Sequence, residues 1–445
     1  MAGLEAPRVQ LVVTSASRGT FWLIAFLLVS AQLLPSLPQF VGIASSQALG
    51  VSLVAMMTLA ICGMIDLFAR RATLCSACLL RPGAIVLAVV IVAFVILHAA
   101  IADLTLEIDF GRLAASLAPL VLTILAGMTF ARVLVGASPG AVDRAIRASF
   151  GALILVLTVR SVGINPSAGV SDKAMFPFTE TSHFALAFAP ILMYVCVTSR
   201  DSRKSFWIVF GLFIAVFQLS LSLLASCLLL AVAARRFVRI AFPVIIVGLL
   251  LLPAIAFQYF AARLNFGGSQ SNLSNLGYVL GWEQIYRYLI ETSGWGVGFQ
   301  QFGVHDVHAV TADAIVALTH SDDPIYQVVG FVLAKLASEF GIAGLLLAAM
   351  FLILQARCMR GLRSGHTDPA LTFGRCIVVA FTVDMFFRSP GYFVSSTYIF
   401  VVGLCTLYTL FALEKRANSA PLVRRNLLAV ERTDQSPVLG ADHVA

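Results

Sequence analysis

The sequence is poor in charge. Asp, Glu, Lys and Arg supply 12% of its 445 residues, against about 25% in an ordinary soluble domain. So little charge cannot cover a water-soluble fold of this length. Hydrophobic residues at 60% and a mean hydropathy of +0.94 point to lipid instead. Ten-residue stretches of alternating polarity are missing, which excludes a β-barrel. No long Lys/Arg stripe with interleaved aromatics is present, so the net charge of +8 does not indicate nucleic acid. Cysteine is absent from the one long polar stretch, Leu264 to Asp323, so no disulfide holds it. Cys75-x-x-Cys78 is the only C-x-x-C, and no second ligand pair lies nearby to complete a zinc site.

What the chain does have is a series of continuous apolar runs. A spanning helix needs about 20 apolar residues. The runs predict twelve helices, at 21–40, 46–69, 83–101, 113–135, 148–165, 182–198, 205–219, 221–234, 237–257, 327–354, 373–388 and 395–413. The seventh and eighth share about 30 residues and join near Ser220 and Ser222. The first run follows Arg8 and Arg18 and is too long for a signal-peptide core, so it reads as an anchor. Arg70, Arg71 and Arg81 follow the second run, and five further basic loops follow every second run to Arg424 and Arg425. The intervening loops are neutral or acidic, as with Asp103, Glu107 and Asp109. The positive-inside rule then places both termini in the cytoplasm and the long loop outside. The expected fold is all-α and membrane-integral. Helices one to nine occupy 1–257, an outer loop 258–326, helices ten to twelve 327–417, and a polar, disordered tail 418–445. No internal repeat and no obvious broken helix is visible.

The outer loop carries its own pattern. Tyr278, Trp282, Ile285, Tyr286, Leu289 and Ile290 form a helical stripe, which predicts an amphipathic helix on the membrane surface or over the bundle. Glu283, Arg287 and Glu291 lie opposite at i, i+4 spacing and can pair. Glycines 294, 296 and 298 end the helix.

Arg160, Arg263, Arg287 and Arg388 all fall toward the outer side, where arginine is expected to be scarce. A guanidinium there suits a bidentate phosphate contact, or else snorkels or pairs with Glu180, Glu283 or Asp384. Glu180 and His183 open the sixth run. Thr181 or Ser182 could cap that helix and Glu180 suits its positive end. Alternatively, Glu180 or His183 binds or deprotonates a substrate hydroxyl. His305-x-x-His308 is a weak metal signal, so no metal is expected, and His320 beside Asp322 and Asp323 reads more simply as a solvated turn. Asp384 reads as the buried partner of an arginine. Lys335 and Glu339, at i, i+4, read as a simple ion pair.

Three short segments, Gly294-Trp-Gly-Val-Gly-Phe-Gln-Gln-Phe-Gly303, Ser338-Glu-Phe-Gly-Ile-Ala-Gly344 and Phe178-Thr-Glu-Thr-Ser-His-Phe-Ala-Leu186, carry a resemblance. In order, spacing and side of the membrane they resemble the bacterial O-antigen polymerase and O-antigen ligase superfamily. Thr181 stands where that pattern has proline, and the resemblance covers roughly 150–400. It implies an integral-membrane glycosyltransferase of the bacterial inner membrane, acting at its periplasmic face on glycans carried by undecaprenyl pyrophosphate. Donor and acceptor are both lipid-linked, with no cofactor, metal or nucleic acid. Flippase and chain-length regulator proteins are the partners it implies. A hydroxyl of one repeat unit attacks the anomeric carbon of another chain, and undecaprenyl pyrophosphate leaves. Under that reading Glu180, His183 and Arg263 are the catalytic candidates. Arg160, Arg287, Arg388, Trp282 and Tyr392 hold the lipid pyrophosphate. In the ligases an outer-loop His commonly lies about ten residues before the Glu-x-Gly helix. Here His320 precedes Glu339 by 19 and no Asn follows it, which favours a polymerase. The alternatives are a ligase acting on lipid A–core, a twelve-helix secondary transporter, or a non-catalytic assembly protein.

Overall fold

The computed structural model describes residues 17–70, 82–161, 174–234, 273–305, 309–319, 330–365, 368–389 and 391–433. About 82% is helical, and no strand occurs among the described residues. In chain order the helices are α1 (Ser17–Leu33), α2 (Leu37–Phe40), α3 (Ala48–Arg70), α4 (Pro82–Ala102), α5 (Phe110–Gly136) and α6 (Pro139–Ser161). There follow α7 (Thr181–Thr198), α8 (Asp201–Phe217), α9 (Leu221–Ala233), α10 (Leu273–Glu291) and α11 (Val310–Thr319). The last four are α12 (Val332–Arg363), α13 (Pro369–Ala380), α14 (Thr382–Phe386) and α15 (Ser395–Thr433). A 3₁₀ turn, Leu34–Ser36, joins α1 to α2.

Among the described residues, eight helical stretches are long and apolar enough to cross a membrane. The chain is therefore an all-α, multi-pass membrane protein. Of the other expected spans, 237–257 lies outside the described residues, as do Cys75 and Cys78. α8 and α9 hold 17 and 13 residues and turn at Leu219, whose φ is 49°. α6 is long enough, but Asp143, Arg144 and Arg147 fill its first turns. Helix α15 continues to Thr433 where a disordered tail was expected from 418. The Leu, Arg, Ala and Glu of its last turns are good helix formers.

Short polar residues set several starts. The Asp109 side chain accepts from Arg112 N at the head of α5, and Asp368 accepts from Leu371 N at the head of α13, with Pro369 in the first turn. At the centre lie α7 and α13, which pack on one another and are buried almost all round. A helix apolar on every side belongs in such a position. Around them stand α6, α8, α9, α12 and α15. α4 leaves Ile85, Val86, Val89, Val90, Ile96 and Leu97 exposed along its length. Such a surface would drive aggregation in water and is stable against lipid tails.

Candidate functional site

Among the described residues of the segment before α12 there are two helices, α10 and α11, where one was expected. α10 packs on the start of α12, with Trp282 and Tyr278 on the Phe331 ring at 5.0 and 5.2 Å between centroids. The expected stripe divides. Ile285 is buried and Tyr278 and Leu289 are half-buried, whereas Trp282, Tyr286 and Ile290 are exposed; Leu280 and Tyr288, off the stripe, are buried. The expected Arg287–Glu283 pair forms at 3.1 Å. The same carboxylate accepts from the Val310 and Thr311 N–H groups, so Glu283 also caps α11. Burial opposes its charge, but the hydrogen bonds from Thr311, Val310 and Arg287 outweigh it and hold the carboxyl below its usual range.

After α10 the chain turns through Gly294, Gly296 and Gly298, all with positive φ. This turn is locked onto a break in α12. Gly341 there adopts φ 57° and ψ −131°, outside helical values. Val297 N bonds the Ser338 carbonyl at 3.0 Å, Gly298 N the Glu339 carbonyl at 2.9 Å, and Ile342 N the Gly294 carbonyl at 2.8 Å. The backbones meet so closely that a Cβ on Gly296 would lie 2.5 Å from the Glu339 oxygen. One on Gly341 would lie 2.0 Å from the Gly294 oxygen. The two glycine segments quoted from the sequence are thus a single interlocked unit.

Two other elements pin the turn. Trp295 stacks on His98 of α4 at 4.9 Å and 9°, and each donates or accepts through the other's backbone. Gln301 exchanges two hydrogen bonds with the backbone of Asp109 at 3.0 and 3.1 Å. Beneath the turn, the buried Glu339 carboxylate faces the Gln300 and Phe302 N–H groups, the Tyr392 hydroxyl and Lys335. Its Oε2 has no hydrogen-bond partner among the described residues.

Residues 387–389 and 391–394 connect this unit to the head of α7. Tyr392 stacks on Phe299 at 5.7 Å, and a Cβ on Gly391 would lie 3.2 Å from Lys335 Nζ. Ser389 N bonds the Gly330 carbonyl at 3.1 Å. Arg388 Nη2 donates to Glu180 Oε2 at 2.9 Å. Burial works against charge on Glu180, but the Arg388 guanidinium, then His183 and Ser182, prevails and holds the carboxyl below its usual range. Burial pushes the Tyr392 phenol well up, and the Glu339 carboxylate beside it adds to this.

Glu180 itself occupies the N-cap of α7, and its side chain caps nothing. Thr181 and Ser182 are inside the helix instead, and Ser182 Oγ donates to Glu180 Oε2 at 2.8 Å. His183 is buried, with Nδ1 3.0 Å from Gln47 Nε2 and 3.1 Å from Thr179 Oγ1.

The structure therefore brings Glu180, His183 and Arg388 together, and sets Tyr392 four residues further along at Glu339. Arg160 donates to the Ala174 carbonyl in the segment leading to Glu180. Arg287 and Trp282 sit on α10 with the partners described above. Arg263, His308, His320, Asp322 and Asp323 lie outside the described residues. Burial lowers the His305 pKa, and the Tyr288 hydroxyl donates to the His305 carbonyl at 3.2 Å. Among the described residues Asp384 pairs with no arginine; Ser396 Oγ donates to it at 2.5 Å. Among the described residues no three His, Cys, Asp or Glu side chains converge as metal ligands.

Glu339, Gln47 and His98 were not singled out from sequence as site residues. A carboxylate and an imidazole within apolar runs are signals for Glu339 and His98. Gln47, in a short loop, gives none. No protein-family model matches the chain, and no curated protein matches it.

Proposed function

We propose that the protein is a membrane glycosyltransferase that joins glycan repeat units carried on undecaprenyl pyrophosphate, in the manner of a polysaccharide polymerase. The proposal includes twelve spans, both termini in the cytoplasm of a bacterial inner-membrane protein, and the 258–326 loop in the periplasm. The observation that carries it is the interlock of the Gly294–Gly303 turn with the Gly341 break. It explains why both glycine patterns are needed, and it gathers carboxylates, Arg388, Lys335 and a phenol at one end of an apolar bundle.

The chemistry asks for two things. The attacking hydroxyl must lose a proton, and the departing pyrophosphate must be met by positive charge. Glu180, kept ionised by Arg388 and only half-buried, is better placed to accept that proton than the enclosed His183. Arg388 offers a guanidinium fork beside it for a phosphate, and Arg160 lies on the approach to the same helix end. His183, held by Gln47 and Thr179, orients the head of α7.

The test is surface polysaccharide in a strain lacking the gene. Chains reduced to single repeat units are expected, restored by the wild-type gene but not by Arg388→Ala. Full-length polymer in the deletion strain overturns the proposal. A secondary transporter is the second reading. The breaks at Gly341 in α12 and between α13 and α14 favour it, because transporters build sites from discontinuous helices. Solute uptake into proteoliposomes without any lipid-linked glycan would select it.

A further inference from the structure

A second polar site lies inside the bundle, away from the glycine turn. α1, α7, α13, α14 and the head of α15 line a small cavity with room for about one water-sized occupant. Its polar lining is Gln32, Asp384, Ser395 and Ser396. Gln32 is 1% exposed, and neither its Oε1 nor its Nε2 has a partner among the described residues. A buried amide left unmatched on both sides is unfavourable, so the cavity is built to hold something polar. Asp384 is buried as well, and Ser396 Oγ donates to its Oδ1. No Lys, Arg or His side chain lines the cavity. A buried carboxylate without a counter-charge is among the costliest arrangements in a protein.

The backbone adds to the oxygen set. Leu186 and Pro190 of α7 both line the cavity. Pro190 carries no N–H, so the Leu186 carbonyl lacks its helical donor. α13 ends at Ala380, also on the cavity wall, and brings the negative end of its dipole there.

We propose that this cavity is a binding site for one sodium-sized monovalent cation, held by Asp384, Gln32 Oε1, the Ser395 and Ser396 hydroxyls and the Leu186 carbonyl. The set is all oxygen, which suits a hard cation, and its single carboxylate balances one positive charge. The space admits an ion no larger than a water molecule. Bound there, the ion ties α1 and α7 to the consecutive helices α14 and α15, three stretches far apart in sequence. It also orders the chain four residues before Arg388. The inference does not rest on the glycosyl-transfer reading.

Thermal unfolding of the purified full chain in detergent tests it, at constant ionic strength, with NaCl, KCl or N-methyl-D-glucamine chloride. Na⁺ is expected to raise Tm saturably, by several degrees, over both other salts. Asp384→Asn should abolish the response. Ser396→Ala and Gln32→Leu should raise the half-saturating Na⁺ concentration at least tenfold. Equal Tm in all three salts overturns the proposal and leaves water as the occupant. Equal response to Na⁺ and K⁺ overturns the size argument, and a full response in Asp384→Asn overturns the ligand set. If Asp384→Asn does not fold, the Ser396→Ala half-saturation decides, and an unchanged value overturns the site.

Discussion

At the scale of single residues, Glu180 and Arg388 are the pair to separate. Their side chains keep 43% and 33% of their exposure, so the ion pair contributes only about 0.2–1 kcal/mol to stability. Arg388→Ala should therefore leave Tm within a few degrees while removing chain extension. Arg388→Lys keeps the charge without the fork, and partial activity there would assign the role to charge alone. Titration gives an independent handle. The Glu180 carboxyl is depressed in the folded state, so its stabilisation is fully present above the unfolded value of 4.5 and disappears as pH falls through the folded value. Wild type should thus lose more stability than Glu180→Gln on acidification below pH 4.5. Identical acid unfolding curves would show that the pair does not form. Glu339 differs, because its carbonyl holds the turn through Gly298 N, and a Gln side-chain oxygen in place of its carboxylate can still accept from the Gln300 and Phe302 N–H groups. Glu339→Gln should fold and reach the membrane in normal amount, with extension reduced at least tenfold if the carboxylate serves the reaction.

At the scale of elements, the interlock of turn and broken helix makes the sharpest demand on sequence. Gly341→Ala forces a Cβ into the Gly294 carbonyl at a positive φ, and Gly296→Ala forces one into the Glu339 carbonyl. Strained backbone of this kind costs on the order of 1–3 kcal/mol before the contact is considered. Both variants should lower Tm by several degrees or fail to accumulate. Gly151 of α6 meets nothing within 4 Å, so Gly151→Ala should be neutral or stabilising by up to about 1 kcal/mol. A like response at all three positions would dismiss the interlock. Glu283→Ala removes the cap of α11 and the Arg287 partner at once. Losing a cap costs about 0.5–2 kcal/mol. Amide exchange should accelerate across Val310–Thr319 and leave α7 and α13 unchanged.

At the scale of the whole molecule, the charge pattern and the packing address different questions. Lys and Arg in alternate loops set the expected orientation, while α7 and α13 fix the centre of the bundle. Orientation is checked by placing a cysteine at exposed Asp313 of α11. An impermeant maleimide should label it in intact spheroplasts. A cysteine at Arg357 should react only after the membrane is opened. Reversed labelling would remove the periplasmic face on which the glycosyl-transfer reading depends.

The sequence by itself determined that the chain is a helical membrane protein, because too little charge and unbroken apolar runs leave no other fold. It also placed the i, i+4 contact of Arg287 with Glu283, since one helix turn sets that distance. Residues 208 positions apart carry no such rule: only packing could select Glu180, and not Glu283 or Asp384, as the partner of Arg388. Packing likewise showed that the two glycine segments are one unit, because close backbone approach depends on where a helix breaks. Among the described residues it set Asp384 beside Ser396 and Gln32 and not beside an arginine. Hydrophobicity measures how much a residue avoids water, and it is silent on which polar groups will share the dry space that results.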